Sequence, residues 1–243
     1  MKKNLLVVLA LVFFAFSVKA GFDFSLFGGY TTVTMGEMNT QIQNLNDSIT
    51  PDPAITKKMT KFTQGFIVGA ETGLSPIPGL SIGPKIEFIG GISGGVDLTS
   101  GSEYLKYIYA ASLIPVMGGA TFVVSLPGLP FSFGGGVHAG YAFSIDSATY
   151  STKISSVEVS KSAMFYGGGF VGEVDAKVNV GLGPIAGGLV VGYRIANIPE
   201  LKWAADNVDL GVKKDEVLKK ENGNNMPFDF AGLIVGLNLS FGF

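Results

Sequence analysis

The chain has no cysteine and a single histidine among its 243 residues. Without cysteine there is no disulfide framework, no thiolate metal site, no cysteine nucleophile and no lipid-modified N-terminal cysteine. One histidine leaves little room for a zinc site or a histidine relay, so no metal, no cofactor and no catalytic residue is expected. Charge is scarce too. Only 15% of residues are charged and the formal net charge is −2, which offers no electrostatic footprint for nucleic acid as a partner. Beyond the first twenty residues no apolar run reaches the roughly 18 needed to suggest a membrane-spanning helix. What is abundant is glycine, at 35 residues, and apolar side chains, at 47%, including 19 Phe. That is too apolar for a disordered chain, and the glycines lack the three-residue period of collagen.

Residues 1–20 read as an export signal. Lys2 and Lys3 form a basic start, Leu5 to Phe16 is an apolar run of twelve, and Val18-Lys19-Ala20 places small residues at the two positions a signal peptidase reads. The run is too short to anchor the chain in a bilayer. The expected organisation is a cleaved signal peptide, 1–20, followed by one unit, 21–243.

Within that unit the pattern is period two. From Ala231 the odd positions run Ala, Leu, Val, Leu, Leu, Phe, Phe, while the even ones are Gly, Ile, Gly, Asn, Ser, Gly. One face of such a strand is bulky and apolar and the other small and polar. In 163–180 the even set holds Met164, Tyr166, Phe170, Val174, Val178 and Val180, and the other face carries Glu173, Asp175, Lys177 and Asn179. The same alternation predicts strands at 61–74, 80–93, 131–144 and 185–194, and more loosely at 22–35; with 227–243 and 107–125 that makes eight. In 80–93 it sends Ile82, Ile86, Phe88 and Ile92 to the bulky face, and in 61–74 it sends Phe62 there. Segment 107–125 is apolar on both faces, so its register stays open, and Pro115 is a candidate bulge.

Short Pro/Gly turns at 75–79, 127–130 and 181–184 alternate with long polar connections at 36–60, 94–106, 145–160 and 197–226. Only helices and closed barrels satisfy every backbone group inside a bilayer. The expectation is an all-β fold: an eight-stranded antiparallel up-and-down transmembrane β-barrel with short periplasmic turns and long extracellular loops. Aromatic residues support it. Phe22, Phe24, Phe131, Phe133, Phe241 and Phe243 fall near one rim, and Tyr107, Tyr109, Tyr141, Phe143, Tyr166 and Tyr193 near the other. A soluble lipocalin-like barrel would instead hide its apolar face inside.

On these residues the chain resembles the small, eight-stranded OmpA/OmpX-type class of Gram-negative outer-membrane β-barrels. The resemblance implies location in the cell outer membrane, contact with outer-membrane lipid, and recognition by the barrel-assembly machinery. For that recognition the matching residues are the terminal Phe243 with Phe241 and Leu239, preceded by Leu237 and Val235. It implies no particular activity.

The expected inward charges are Glu71, Lys85, Glu87, Glu173, Asp175, Lys177 and Arg194, with His138 beside them. Glu71 and Lys85 are expected to be cross-strand neighbours. Buried charges must be paired, so a lumen polar network is expected. An ion path is the competing reading. The many inward glycines could leave space for water. His138 faces the lumen in this scheme, which argues against a lipid-cleaving Ser–His pair. The loops are the remaining surface. In 36–50 Met38, Ile42, Leu45 and Ile49 are spaced for a short amphipathic helix. Loop 197–226, with Trp203, Val208, Val212, Val217 and Leu218, suggests a second. Loops 36–60 and 197–226 are the expected surface for an extracellular ligand. The function expected is a non-enzymatic envelope or surface-contact protein. A small porin-like solute channel is the alternative, and a lipid-modifying enzyme is the third reading.

Overall fold

The computed structural model describes residues 21–48, 54–183, 185–207, 211–220 and 223–242. The expected signal peptide, Ile49 and the terminal Phe243 lie outside them. Eleven strands and one helix follow in the order β1 (Gly21–Thr32), α1 (Gly36–Ser48), β2 (Thr56–Thr60), β3 (Gln64–Ile77), β4 (Leu80–Ser100), β5 (Glu103–Ser125), β6 (Phe131–Ile154), β7 (Val157–Leu182), β8 (Ile185–Ile198), β9 (Leu201–Trp203), β10 (Phe228–Asp229) and β11 (Gly232–Gly242). Eight of them, β1-β3-β4-β5-β6-β7-β8-β11, form an antiparallel ring, closed where β11 pairs with β1 from Asp23↔Gly242 to Thr31↔Ile234. A closed ring has no unpaired edge at bilayer depth, which an apolar solvent requires.

The bulky faces point outward, as the alternation predicts. Phe66, Val68, Ile86, Phe88, Phe133, Val137, Phe170, Val174, Leu189, Val191, Val235 and Leu237 are all exposed on the barrel wall. A soluble protein does not display such a continuous apolar belt. The interior holds Ile67, Ile89 and the charged side chains.

Several expectations change. The segments 94–106 and 145–160 are not long loops. Strands β4 and β5 run on to a two-residue turn at Gly101-Ser102, and β6 and β7 to one at Ser155-Ser156. Their Ser, Thr and Lys content looks loop-like, but alternating Val, Tyr, Thr and Ile keep them extended. β5, β6 and β7 have 23, 24 and 26 residues, about twice the roughly 9–11 a tilted strand needs to span a bilayer. The β4–β7 side of the barrel therefore rises as a tall wall above the β8-β11-β1-β3 side. β2 pairs with the upper part of β4, from Thr56↔Thr99 to Thr60↔Gly95.

Pro115 is not a bulge, because β5 and β6 stay in unbroken register through Pro115↔Ala142. The extra residue lies on the neighbouring strand, where Ile89↔Leu113 is followed by Ile92↔Ala111. Gly91 takes φ +71° there, a conformation suited to glycine. The bulge reverses the face of every later β4 residue, so Ile92, expected outside, is 1% exposed inside the barrel. Tyr109, expected at the outer rim, is likewise buried at 2%, and Tyr107 is partly buried against the same interior cluster. Phe62 precedes β3 and is also buried. Tyr141, Phe143, Tyr166, Tyr193, Phe22, Phe131 and Phe133 are exposed on the wall, in keeping with the two girdles.

The long-loop mouth is capped. Helix α1 buries Met38 and Ile42, while Leu45 stays exposed. Asn39 ties the helix down: its Nδ2 donates to the carbonyls of Thr34 and Phe62, and its Oδ1 accepts from the Phe62 amide. The loop after β8 forms no helix among its described residues. It turns back through isolated bridges Lys202–Val217, Asn207–Val212 and Lys219–Asn225. Left-handed residues at Gly211, Asp215 and Gly223 break any helical run. Under these loops Phe62, Tyr109, Phe165, Trp203 and Phe228 stack and tilt against each other, with Phe165 and Trp203 at 4.8 Å and Tyr109 and Phe228 at 5.6 Å between centroids.

Candidate functional site

Below the aromatic cap, ladder register decides which charges meet. His138 lies opposite Glu173, and Glu173 opposite Arg194, so three strands place them in one row. Glu71 lies opposite Lys85 on β3 and β4. Asp175 and Lys177 sit on the same inward face of β7, two residues apart, as strand geometry requires. Small residues beside them make the space. A Cβ on Gly119 would come within 2.3 Å of the His138 ring, and one on Gly136 within 2.7 Å of the ring and 3.0 Å of the Asp175 carboxylate. At these two positions the inward glycines are filled by neighbouring ionic side chains rather than by water.

All eight expected residues join one network. Arg194 approaches Glu87 at 3.4 Å and donates to Thr31 Oγ1 at 2.9 Å. Lys85 lies 3.2 Å from Glu87, forms an ion pair with Glu173 and is 3.5 Å from Asp175. Its ammonium also stands 4.6 Å over the Phe27 ring. Lys177 donates to Glu71 at 2.7 Å and is 3.7 Å from Asp175. His138 bridges the two halves, with Nε2 3.4 Å from Glu71 Oε1 and Nδ1 3.6 Å from Asp175 Oδ2. Thr121 donates to Glu71. Four carboxylates thus face three ammonium or guanidinium groups and one imidazole.

Sequence reading missed Thr31 and Thr121, and placed Asn179 and Asn238 on the small polar faces without assigning them to the network. Asn238 Nδ2 donates to Asn179 Oδ1 at 2.9 Å in the lower lumen. It also missed Asp146, buried higher up and accepting from Ser144 at 2.8 Å. Asp146 falls in the stretch that reads as a loop; carrying the alternation on from Ser144 would have placed it inside.

Beneath the network a cavity of about 700 Å³ opens at the short-turn end, with Asp23, Ser25, Glu71, Thr121, Lys177 and Asn179 on its wall. The lumen is therefore open below, ionic in the middle and aromatic above. Both ring nitrogens of His138 face carboxylates, and the residue is buried. The arrangement does not aim it at a hydroxyl nucleophile or at the membrane. The terminal strand sends Leu239, Leu237 and Val235 outward, with Phe241 packed on Phe24 at 6.1 Å.

No protein-family model and no curated protein matches the chain. Among solved structures it is similar to the outer membrane protein OprG from Pseudomonas aeruginosa, at 14% identity and TM-score 0.43, over 91% of this chain and 95% of that one. It is also similar to Neisserial surface protein A, at 9% identity and TM-score 0.39, over 91% and 97%. A third is Ail, the attachment invasion locus protein of Yersinia pestis, solved with the heparin analogue sucrose octasulfate, at 12% identity and TM-score 0.37, over 90% and 99%. The chain's own outward apolar belt, inward ions and edge-free ring of eight strands make it a small transmembrane β-barrel.

Proposed function

We propose that the chain is a non-enzymatic integral protein of the bacterial outer membrane, with short turns in the periplasm, that serves envelope structure and surface contact. The observation that carries this reading is the double closure of its lumen. An ion-paired layer is roofed by a packed aromatic layer, and an eight-stranded interior is just wide enough for side chains to fill it. The surface left for recognition is the tall β4–β7 wall together with α1 and the loop between β8 and β11. Loops on a rigid scaffold are where binding residues concentrate. Outer-membrane lipid and the barrel-assembly machinery are the partners this reading requires.

The cavity at the short-turn end favours one second reading, a conduit whose upper half opens on demand. Planar-bilayer recording of the refolded mature protein separates the two. The closed reading expects no stepwise conductance at either polarity; steady unitary currents would replace it with the channel. Mass spectrometry of outer-membrane lipid from expressing cells tests the enzymatic reading, and the proposal expects no shift in lipid mass.

A further inference from the structure

The lumen contains a donor set whose free atoms converge. His138, Glu173 and Asp175 each turn a ligand atom into one volume, all within 4.8 Å of one another. The three side chains are each 1% exposed. The atoms without a hydrogen-bond partner are the ones a cation would use: His138 Nδ1, Glu173 Oε2 and both carboxylate oxygens of Asp175. Buried polar atoms left so are uncommon and costly.

Glu71 Oε1 lies 3.4 Å from His138 Nε2; in the tautomer that carries its proton there, toward Glu71, the Nδ1 lone pair faces Asp175 Oδ2 at 3.6 Å. A lone pair against a carboxylate is repulsive until a proton or a metal cation lies between them. A histidine at a metal commonly gives its other N–H to a carboxylate, which fixes the ring's orientation. Glu71 is itself held by Lys177 at 2.7 Å and by Thr121. One imidazole nitrogen with carboxylate oxygens suits a borderline dication such as Zn²⁺ better than Mg²⁺ or Ca²⁺. Lys85 and Lys177 are the competing cations. Lys85 holds Glu173 through Oε1, leaves Oε2 free and stands 3.5 Å from Asp175 Oδ2, while Lys177 stands 3.7 Å from Asp175 Oδ1. Access is from below, where the cavity reaches Glu71, Thr121 and Lys177.

We propose that the barrel lumen carries a divalent transition-metal site formed by His138, Glu173 and Asp175, oriented by Glu71 and loaded from the short-turn side. The chain has one histidine, so its imidazole resonances report on this site alone. The test is to refold the untagged mature protein in detergent, titrate it with Zn²⁺, and follow calorimetry and the imidazole NMR signals. One equivalent should bind and shift the His138 resonances. Among variants that keep the heat-modifiable gel mobility of a folded barrel, His138→Gln and Asp175→Asn should each weaken binding at least tenfold. Glu71→Gln, which leaves all three donors, should weaken it by roughly 10–100-fold. Imidazole signals that stay unmoved at millimolar Zn²⁺ would overturn the proposal, as would binding unchanged in folded His138→Gln. The wild-type NMR titration decides the matter even if a variant fails to fold.

Discussion

Glu71 and Lys85 stand opposite each other in the β3–β4 ladder, yet each is neutralised elsewhere. Glu71 takes Lys177, from the far wall, at 2.7 Å, while Lys85 reaches Glu173 on that same strand. The lumen is thus laced across its diameter rather than along its wall. Cross-lumen pairs couple strands that share no backbone hydrogen bonds, so the ionic layer braces the ring as well as filling it.

Arg194 tests that bracing. Its side chain is 0% exposed, and Glu87 and Thr31 are its partners. Arg194→Leu strands part of the charge on Glu87 and should lower unfolding free energy by about 3–5 kcal/mol. Urea titration in lipid vesicles would measure it. Adding Glu87→Gln should recover at least about 1 kcal/mol, since the two residues are coupled.

The height of the apolar belt can be mapped with lysine. Val137 is 64% exposed on the outer face of β6. Val137→Lys should cost about 2–4 kcal/mol if the site lies near the bilayer midplane. Thr149→Lys, further along the same strand and the same face, should change stability by no more than about 0.5 kcal/mol. Equal costs at both sites would mean that the tall wall lies within lipid.

The β6–β7 turn is strained. Ser155 and Ser156 have φ of 48° and 73°, the left-handed region that a two-residue hairpin turn of this kind demands and that glycine or asparagine normally fills. Ser156→Gly should stabilise the hairpin by up to about 1 kcal/mol, read as slower amide exchange in the upper parts of β6 and β7.

The cap has a pH-sensitive tie. Lys220 lies 2.8 Å from Glu37 on α1, and its hydrogen bond holds the Glu37 carboxyl below its ordinary value of 4.5. A carboxyl depressed in the folded state adds stability above its ordinary value and loses that contribution as pH falls through the folded value. Amide protection of α1 should therefore be full near neutrality and drop as pH falls below about 4. Glu37→Gln should reduce that pH dependence, leaving the part that Asp47 carries through its hydrogen bonds from Gln43 and Asn46 on the same helix.

Much of this architecture can be read from the chain. The period-two faces of 163–180 and 231–241 place every bulky residue and every ion on the correct side, because both strands run without a bulge. The eight lumen residues follow from parity alone. Parity fails where the backbone inserts a residue: Gly90-Gly91 turns Ile92 inward, and a segment apolar on both faces hides the fact that Tyr109 belongs to the cap. Polar composition conceals the strand tips at Ser147–Lys153. The partners within the lumen are hidden for a different reason. Glu71 and His138 meet from β3 and β6, strands that are not neighbours, and no local pattern encodes such a contact.

Unequal wall heights bear on how the ring is made. β4 to β7 follow one another in the chain and are joined at their tops by two-residue turns, so they can nucleate from local contacts. The seam is different: Ser25 bonds to Ser240 across 215 positions of sequence, between two of the shorter strands. Such remote pairings are the slowest to form, because the entropy of closing the chain must be met first. The cylinder should therefore zip from its tall side and seal last at β1 and β11, an order that pulse-labelled exchange during refolding would reveal.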